Sequence, residues 1–293
     1  MFWQQLVNAI WLGAVYSLFA LGYTLVFGVL GLLNLAHPSL YMWGAFIGLI
    51  CVDILHLPIW LALPLAMLFS GLLGILLDRV AFKPLRARHA PHLATLISSI
   101  GASIVLINLA QGVFGAQVSR FPFDVFPVQV FKIGLVSITL LQLTILGLSI
   151  GIMLLLRWLI MGTRLGQAMR AVAYNPITAA RLGIHVDRVI MQTFFIAGAL
   201  AGAAGVLLGL AFNSISPFMG LPMNLKGLTV IVLGGLGNIE GAVLGGFILA
   251  LSEVMSVAYL SSDLRDAVSF ILLFLVLLVR PNGLLGRSSA KRA

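Results

Sequence analysis

Gly162-Thr-Arg-Leu-Gly-Gln-Ala-Met-Arg-Ala-Val-Ala-Tyr-Asn-Pro-Ile-Thr-Ala-Ala-Arg-Leu-Gly-Ile-His-Val-Asp-Arg188 is the longest polar interruption in a very apolar sequence. Apolar segments flank it, so it lies outside the bilayer. It is not a slack linker. Leu165, Met169 and Val172 recur at helical spacing on one face, with Arg164, Gln167 and Tyr174 on another. That pattern predicts a helix lying along the membrane surface. A second, shorter helix is punctuated at both ends. Asn175 can cap it, Pro176 fits its first turn, and Gly183 can end it in the left-handed conformation. Its expected exposed part, Thr178, Ala179, Ala180 and Arg181, is small and basic, so another backbone can come close.

Working outward, the chain has 293 residues, of which 61% are hydrophobic and only 9% charged. Soluble domains carry about 25% charged residues. The alternation of an outer-membrane barrel is absent. The spans are therefore helices, which satisfy their own backbone in lipid. The net charge of +9 is a matter of topology, not of nucleic-acid binding. Basic residues cluster at Arg79, Lys83, Arg86 and Arg88, at Arg157, Arg164, Arg170, Arg181 and Arg188, and at Arg280, Arg287, Lys291 and Arg292. The positive-inside rule places those loops and the C-terminus in the cytoplasm. Asp53, Asp124, Asp263 and Asp266 mark the opposite side. Anionic membrane lipid can also meet the basic loops. The N-terminus lacks a basic region and runs straight into a long apolar segment, which reads as a retained first helix.

Window counting gives about eight to ten apolar segments. The fold expected is all-α: a polytopic helical membrane protein with broken helices, one transmembrane domain over residues 1–293 and a long loop at 157–188. Pro38 to Val52 would be only ~22 Å long at ~1.5 Å per residue, short of the ~30 Å hydrocarbon core. It therefore starts within the membrane, after a break at Asn34, His37 and Pro38. Gly115–Gly134 is a long outer loop. Asn213-x-x-x-Pro217 echoes Asn34-x-x-x-Pro38. Interrupted helices at matching places in two inverted halves point toward a transport site; coincidence is the bland alternative.

Arg170-Ala-Val-Ala-Tyr-Asn-Pro-Ile-Thr-Ala-Ala-Arg-Leu-Gly-Ile184 resembles the cytoplasmic coupling loop of permease subunits in ABC importers for branched-chain amino acids. Gly22-Tyr-Thr-Leu-Val-Phe-Gly28, Asn34-Leu-Ala-His37, Val232-Leu-Gly-Gly-Leu-Gly-Asn238 and Arg280-Pro-Asn-Gly-Leu-Leu-Gly-Arg287 resemble the same family, in the family's order. Pro38 departs from it, standing where Gly is common. The resemblance implies a permease of the bacterial inner membrane that works with a related second permease, two ATPase subunits and a periplasmic binding protein. ATP and Mg would sit on the ATPases, with no cofactor on this chain. Substrates in the family include leucine, isoleucine, valine, urea and amides. Carried over, Arg170, Asn175, Pro176, Thr178, Ala179, Ala180, Arg181, Leu182 and Gly183 would form the ATPase contact. The alternative is a solvated basic loop that meets only lipid headgroups.

No P-loop, metal-ligand spacing or nucleophile–base motif is present. The chain reads as a transport subunit, not an enzyme. A solute path needs polar groups at membrane depth. Tyr23, Thr24, Asn34, His37 and Ser39 are candidates at the first break; Asn213, Asn224, Lys226, Thr229 and Asn238 at the second. The same residues could instead cap half-helices and seal the breaks. Glu253, within an apolar run, is either a coupling acid of an ion-driven secondary transporter or one half of a structural pair. A membrane scaffold without a pathway is a third reading.

Overall fold

The computed structural model describes residues 2–88, 90–122, 125–127, 129–134, 136–280 and 282–286. The sequence readings attached to Asp124, Pro281, Arg287, Lys291 and Arg292 lie outside them.

The helices are α1 (Phe2–Leu30), α2 (His37–Asp53), α3 (Ile59–Leu77), α4 (Lys83–Ala87), α5 (His92–Phe114), α6 (Leu140–Gly162), α7 (Arg164–Tyr174), α8 (Pro176–Arg181), α9 (Val186–Phe212), α10 (Gly220–Gly234), α11 (Ile239–Tyr259) and α12 (Arg265–Val279). Among the described residues six stretches are long and apolar enough to cross a membrane: α1, α3 with its extension to Ala87, α5, α6, α9 and α11. The 17-residue α2 and the 15-residue α10 and α12 are too short to cross straight. With them the number of apolar segments falls in the expected range.

Two expectations are corrected. The long outer loop contains an antiparallel hairpin, β1 (Val130–Ile133) and β2 (Val136–Thr139), turning at Gly134 with φ +61°. And α3 does not give way to a loop at Leu77. It continues through a π-helical turn, Asp78–Phe82, into α4. A carboxylate buried at that turn makes the continuation possible: Asp78, 2% exposed, accepts from Arg86 at 2.6 Å. Arg79, Lys83 and Arg86 thus ride on helix.

Opposite ends of the molecule are defined by two landmarks. At one, Gln4 exchanges hydrogen bonds of 2.9 and 2.8 Å with the backbone of Ser137 in β2; this is the hairpin end. At the other lie α7, α8 and residues 282–286; this is the basic end. Helix α1 runs from hairpin end to basic end, and α9 runs the opposite way. Each is then broken. After α1 the chain turns back, and α2 starts beside the middle of α1, where the His37 imidazole meets the Phe19 carbonyl at 3.2 Å. Gly22 makes room for that ring: a Cβ there would lie 2.5 Å from the His37 Cε1. After α9 the chain turns back likewise, and α10 begins where a Cβ on Gly220 would lie 2.6 Å from the Pro38 carbonyl oxygen. The two half-helices meet at their starts.

The packing repeats with inverted sense. Helix α1 packs along α11 as α9 packs along α3, and α2 packs on α3 as α10 packs on α11. Small residues set both long seams. A Cβ on Gly246 would lie 2.6 Å from the Ser17 backbone nitrogen, and one on Gly71 3.0 Å from the Phe195 carbonyl. Close backbone approach through small residues is how helices associate where lipid removes the hydrophobic driving force. Helices α1, α2 and α9 form the buried centre, while α5, α6 and α12 show their apolar sides outward. Replacing Gly246 or Gly71 by Leu should overpack these seams at a cost of about 1–3 kcal/mol. Thermal unfolding of the detergent-purified subunit should show both variants lowered. Gly151→Leu should leave the midpoint unchanged, because nothing lies within 4 Å of a Cβ there.

Candidate coupling and translocation site

The loop between α6 and α9 is built as two capped helices. Thr163 ends α6 and starts α7: its hydroxyl donates to the Leu159 carbonyl at 2.5 Å and accepts from the Gly166 N–H at 3.2 Å. Arg170 donates to the Ile160 carbonyl, so its guanidinium closes the end of α6 within this chain. Met169 and Val172 are buried beneath α7, as their spacing predicts. Asn175 ends α7 and caps α8, its Oδ1 accepting from the N–H groups of Ile177 and Thr178 at 2.9 and 3.0 Å. Pro176 occupies the first turn, and Gly183, φ +85°, terminates α8. The Gly183 N–H reaches the Ala180 carbonyl and the Ile184 N–H the Ala179 carbonyl, both at 3.0 Å.

Ala179 was expected among the exposed residues; it is 2% exposed. The six-residue α8 turns that methyl inward, onto the loop's own core. What α8 and its two flanking residues show outward is larger and more apolar than expected. Tyr174 is 84%, Ile177 67% and Leu182 76% exposed, beside exposed Thr178, Ala180 and Arg181. The loop is tied to the neighbouring basic segment by Asp187, which pairs with Lys83 at 3.1 Å.

At the first break the polar candidates are gathered and buried. Tyr23, Thr24, Asn34, His37 and Ser39 are each no more than 1% exposed. Asn34 Oδ1 accepts from the Ala36 N–H at 3.1 Å, and Ser39 shares a 2.8 Å hydrogen bond with Ser103 of α5. The Tyr23 hydroxyl donates to Asn224 of α10 at 2.7 Å, tying the second half-helix to α1. Three buried atoms here, Thr24 Oγ1, Asn34 Nδ2 and His37 Nδ1, have no hydrogen-bond partner among the described residues.

The second set does not gather in the same way. Asn213 sits at the hairpin end in the left-handed conformation and accepts from the Phe121 N–H at 2.8 Å. Thr229 returns its hydroxyl to the Leu225 carbonyl at 2.9 Å. Asn238 caps α11 at the basic end, accepting from the Gly241 N–H at 3.0 Å. Only Asn224 joins the first-break group.

Lys226 and Glu253 answer each other. Glu253 is fully buried, and Lys226 Nζ lies 2.9 Å from its Oε1. Tyr16 donates to Oε2 at 2.8 Å, Ser269 to Oε1 at 3.0 Å, and Arg265 Nε to Oε2 at 3.3 Å. Asp266 approaches Lys226 at 3.4 Å from the surface. One carboxylate thus joins α1, α10, α11 and α12. A carboxylate with every lone pair engaged is a brace, which removes the observation behind an ion-coupled mechanism. The sequence reading had both residues in view and missed their pairing; a lysine inside an apolar run demands a counter-charge, and Glu253 was the available one. Among the described residues no group of His, Cys, Asp and Glu could hold a metal ion.

Breaking a buried pair strands a charge and costs about 3–5 kcal/mol, whereas replacing both partners by apolar groups is often neutral. Glu253→Met and Lys226→Met should each lower the unfolding midpoint sharply. The double variant should be more stable than either, as measured by thermal unfolding in detergent.

The chain matches the family described as "Branched-chain amino acid transport system / permease component" over residues 5–277. It is 39% identical to the high-affinity branched-chain amino acid transport system permease protein LivH of Salmonella typhimurium, across 99% of this chain and 97% of that one. It is 27% identical to the permease protein LivM of the same organism, across 92% of this chain and 68% of that one. Among solved structures it shares its fold with a chain of PsaBC from Streptococcus pneumoniae, at 13% identity and a TM-score of 0.51, covering 94% of this chain and 91% of that one. The chain is a multi-pass membrane protein and belongs to the permease-component family of branched-chain amino acid transport systems.

Proposed function

We propose that this chain is the permease subunit of an ATP-driven importer of the bacterial inner membrane. It would move branched-chain amino acids or a related small solute handed over by a periplasmic binding protein. Two ATPase subunits holding ATP and Mg would drive it, and a related second permease would complete the membrane part. The pair of relatives LivH and LivM supports a heterologous partnership. The basic end would face the cytoplasm, and the C-terminus with it.

One observation carries this reading. A capped helix stands at the basic end with Tyr174, Ile177 and Leu182 outward. Large apolar side chains on an aqueous loop mark a surface that another protein covers. A loop that served lipid headgroups alone would need only its arginines. Ile177→Asp and Leu182→Asp should each abolish co-purification of the ATPase and cut uptake at least tenfold, while membrane insertion stays normal. Asn175→Ala, which removes a cap worth about 1 kcal/mol, should lower uptake only partly. Retained ATPase binding in both Asp variants would refute the docking role. Because Ala179 is buried, Ala179→Arg would disrupt the loop itself and does not test the contact.

The path for solute would run along the first break. Buried polar groups nearly always find partners. Thr24, Asn34 and His37 each retain a buried polar atom without a partner among the described residues, as expected where water or solute passes in another state of the cycle. In a Cys51→Ser background, Asn34→Cys should react with a small aqueous thiol reagent at a rate that changes with ATP state. Absence of labelling in every state would make the cluster a seal.

A further inference from the structure

The stretch Asn282–Gly286 after α12 has no part in the coupling loop or the path, yet it is held in place by more than its length requires. The Leu284 N–H donates to the Leu233 carbonyl at 2.8 Å, and the Leu285 N–H to the Gly234 carbonyl at 3.1 Å. These are the last carbonyls of α10, which a helix leaves without intrahelical partners. The strap is thus a C-cap supplied in trans. Asn238 fastens it from the other side, its Nδ2 donating to the Leu285 carbonyl at 2.8 Å. Fit is enforced by glycines. Gly283 has φ +77°, and a Cβ on it would lie 2.5 Å from both the Gly235 nitrogen and the Val232 carbonyl oxygen. A Cβ on Gly235 would lie 2.5 Å from the Gly286 nitrogen.

The strap also forms one wall of an open groove of about 880 Å³ at the basic end. Leu236, Gly237, Asn282 and Gly286 line it together with Arg170, Tyr174 and Pro176 of the coupling loop. The far end of α10 is Gly220, against Pro38 at the start of α2. One short helix therefore reaches from the groove to the meeting point of the two breaks.

We propose that residues 282–286 are a second coupling element. The ATPase that docks on α8 also bears on this groove, and the strap passes its movement to α10. This rests on the docking role of α8 given above. The strap positions α10 and touches no solute. In that role it differs from α8, which acts through α9.

The test uses the assembled transporter with its ATPases and binding protein in lipid vesicles. Asn238→Asp keeps the acceptor that caps α11 and removes the donor to Leu285. Gly283→Ala dislodges the strap outright. Both variants should retain stoichiometric ATPase and near-normal hydrolysis, while solute moved per ATP falls at least threefold. A photo-reactive residue at Leu236, 47% exposed on the groove wall, should cross-link to the ATPase. Unchanged transport per ATP in both variants would overturn the proposal. So would a parallel fall of transport and hydrolysis with loss of folded protein, which is what a purely structural strap predicts. Failure of the α8 reading shows separately, as ATPase retained by Ile177→Asp.

Discussion

A polypeptide in hydrocarbon cannot leave its N–H and C=O groups bare. That constraint governs every unusual feature of this chain, because the chain breaks two helices inside the membrane region. Each break frees backbone groups and needs cover. The first obtains it from Asn34, which turns back on the Ala36 N–H, from Pro38, which has no N–H to satisfy, and from α5, whose Ser99 and Ser103 reach Leu35 and Ser39. The second obtains it from the outer loop, where Ile215 exchanges backbone hydrogen bonds with Ser119 and Asn213 accepts from the Phe121 N–H; the strap covers the far, basic end of α10. Glycines at Gly22 and Gly220 let the broken ends come near enough for that cover to work. The inverted pairing of α1 with α11 and of α9 with α3 then builds two equivalent walls around the breaks.

Charge is treated by the same rule. Glu253 and Lys226 come from helices that must meet if neither is to be stranded, so the pair selects one arrangement of α10 against α11. Asp78 and Arg86 do this locally, holding a π turn where the chain leaves the membrane region. Surface pairs such as Arg157 with Glu240, 3.9 Å apart and both exposed, carry little of this burden.

What could be read from the sequence was local. Asn175, Pro176 and Gly183 are terminus signals that act within a turn, and the structure has α8 between them. The short run after Pro38 announced a broken helix by its length alone. The inward turn of Ala179 could not be read, since burial of one methyl on a six-residue helix depends on what lies beneath it. The hairpin was hidden by its size, two strands of four residues with Val and Ile on both. The helical extension past Leu77 was hidden by its charges, which look like a loop until Asp78 and Arg86 are seen to pair. Tyr16 and Glu253 lie 237 residues apart, and no periodicity reports a contact at that distance. The resemblance to a permease family supplied the role; residue chemistry alone left a lipid-facing loop open.

Helix α9 has a mechanical consequence. Only four residues, 182–185, separate it from α8, and the Ile184 N–H is bonded back to Ala179, so the joint has little slack. Its 27 residues make a rod ~40 Å long at ~1.5 Å per residue. A tilt of ~5° at one tip of such a rod displaces the other by ~3.5 Å. That other tip carries Asn213 and Ile215, which are fastened to Phe121 and Ser119 in the loop at the opposite face. Under the docking role proposed for α8, this element would serve as a stiff lever with its handle at α8 and its load at the far surface, and a stroke of a few ångströms would need no unfolding between them.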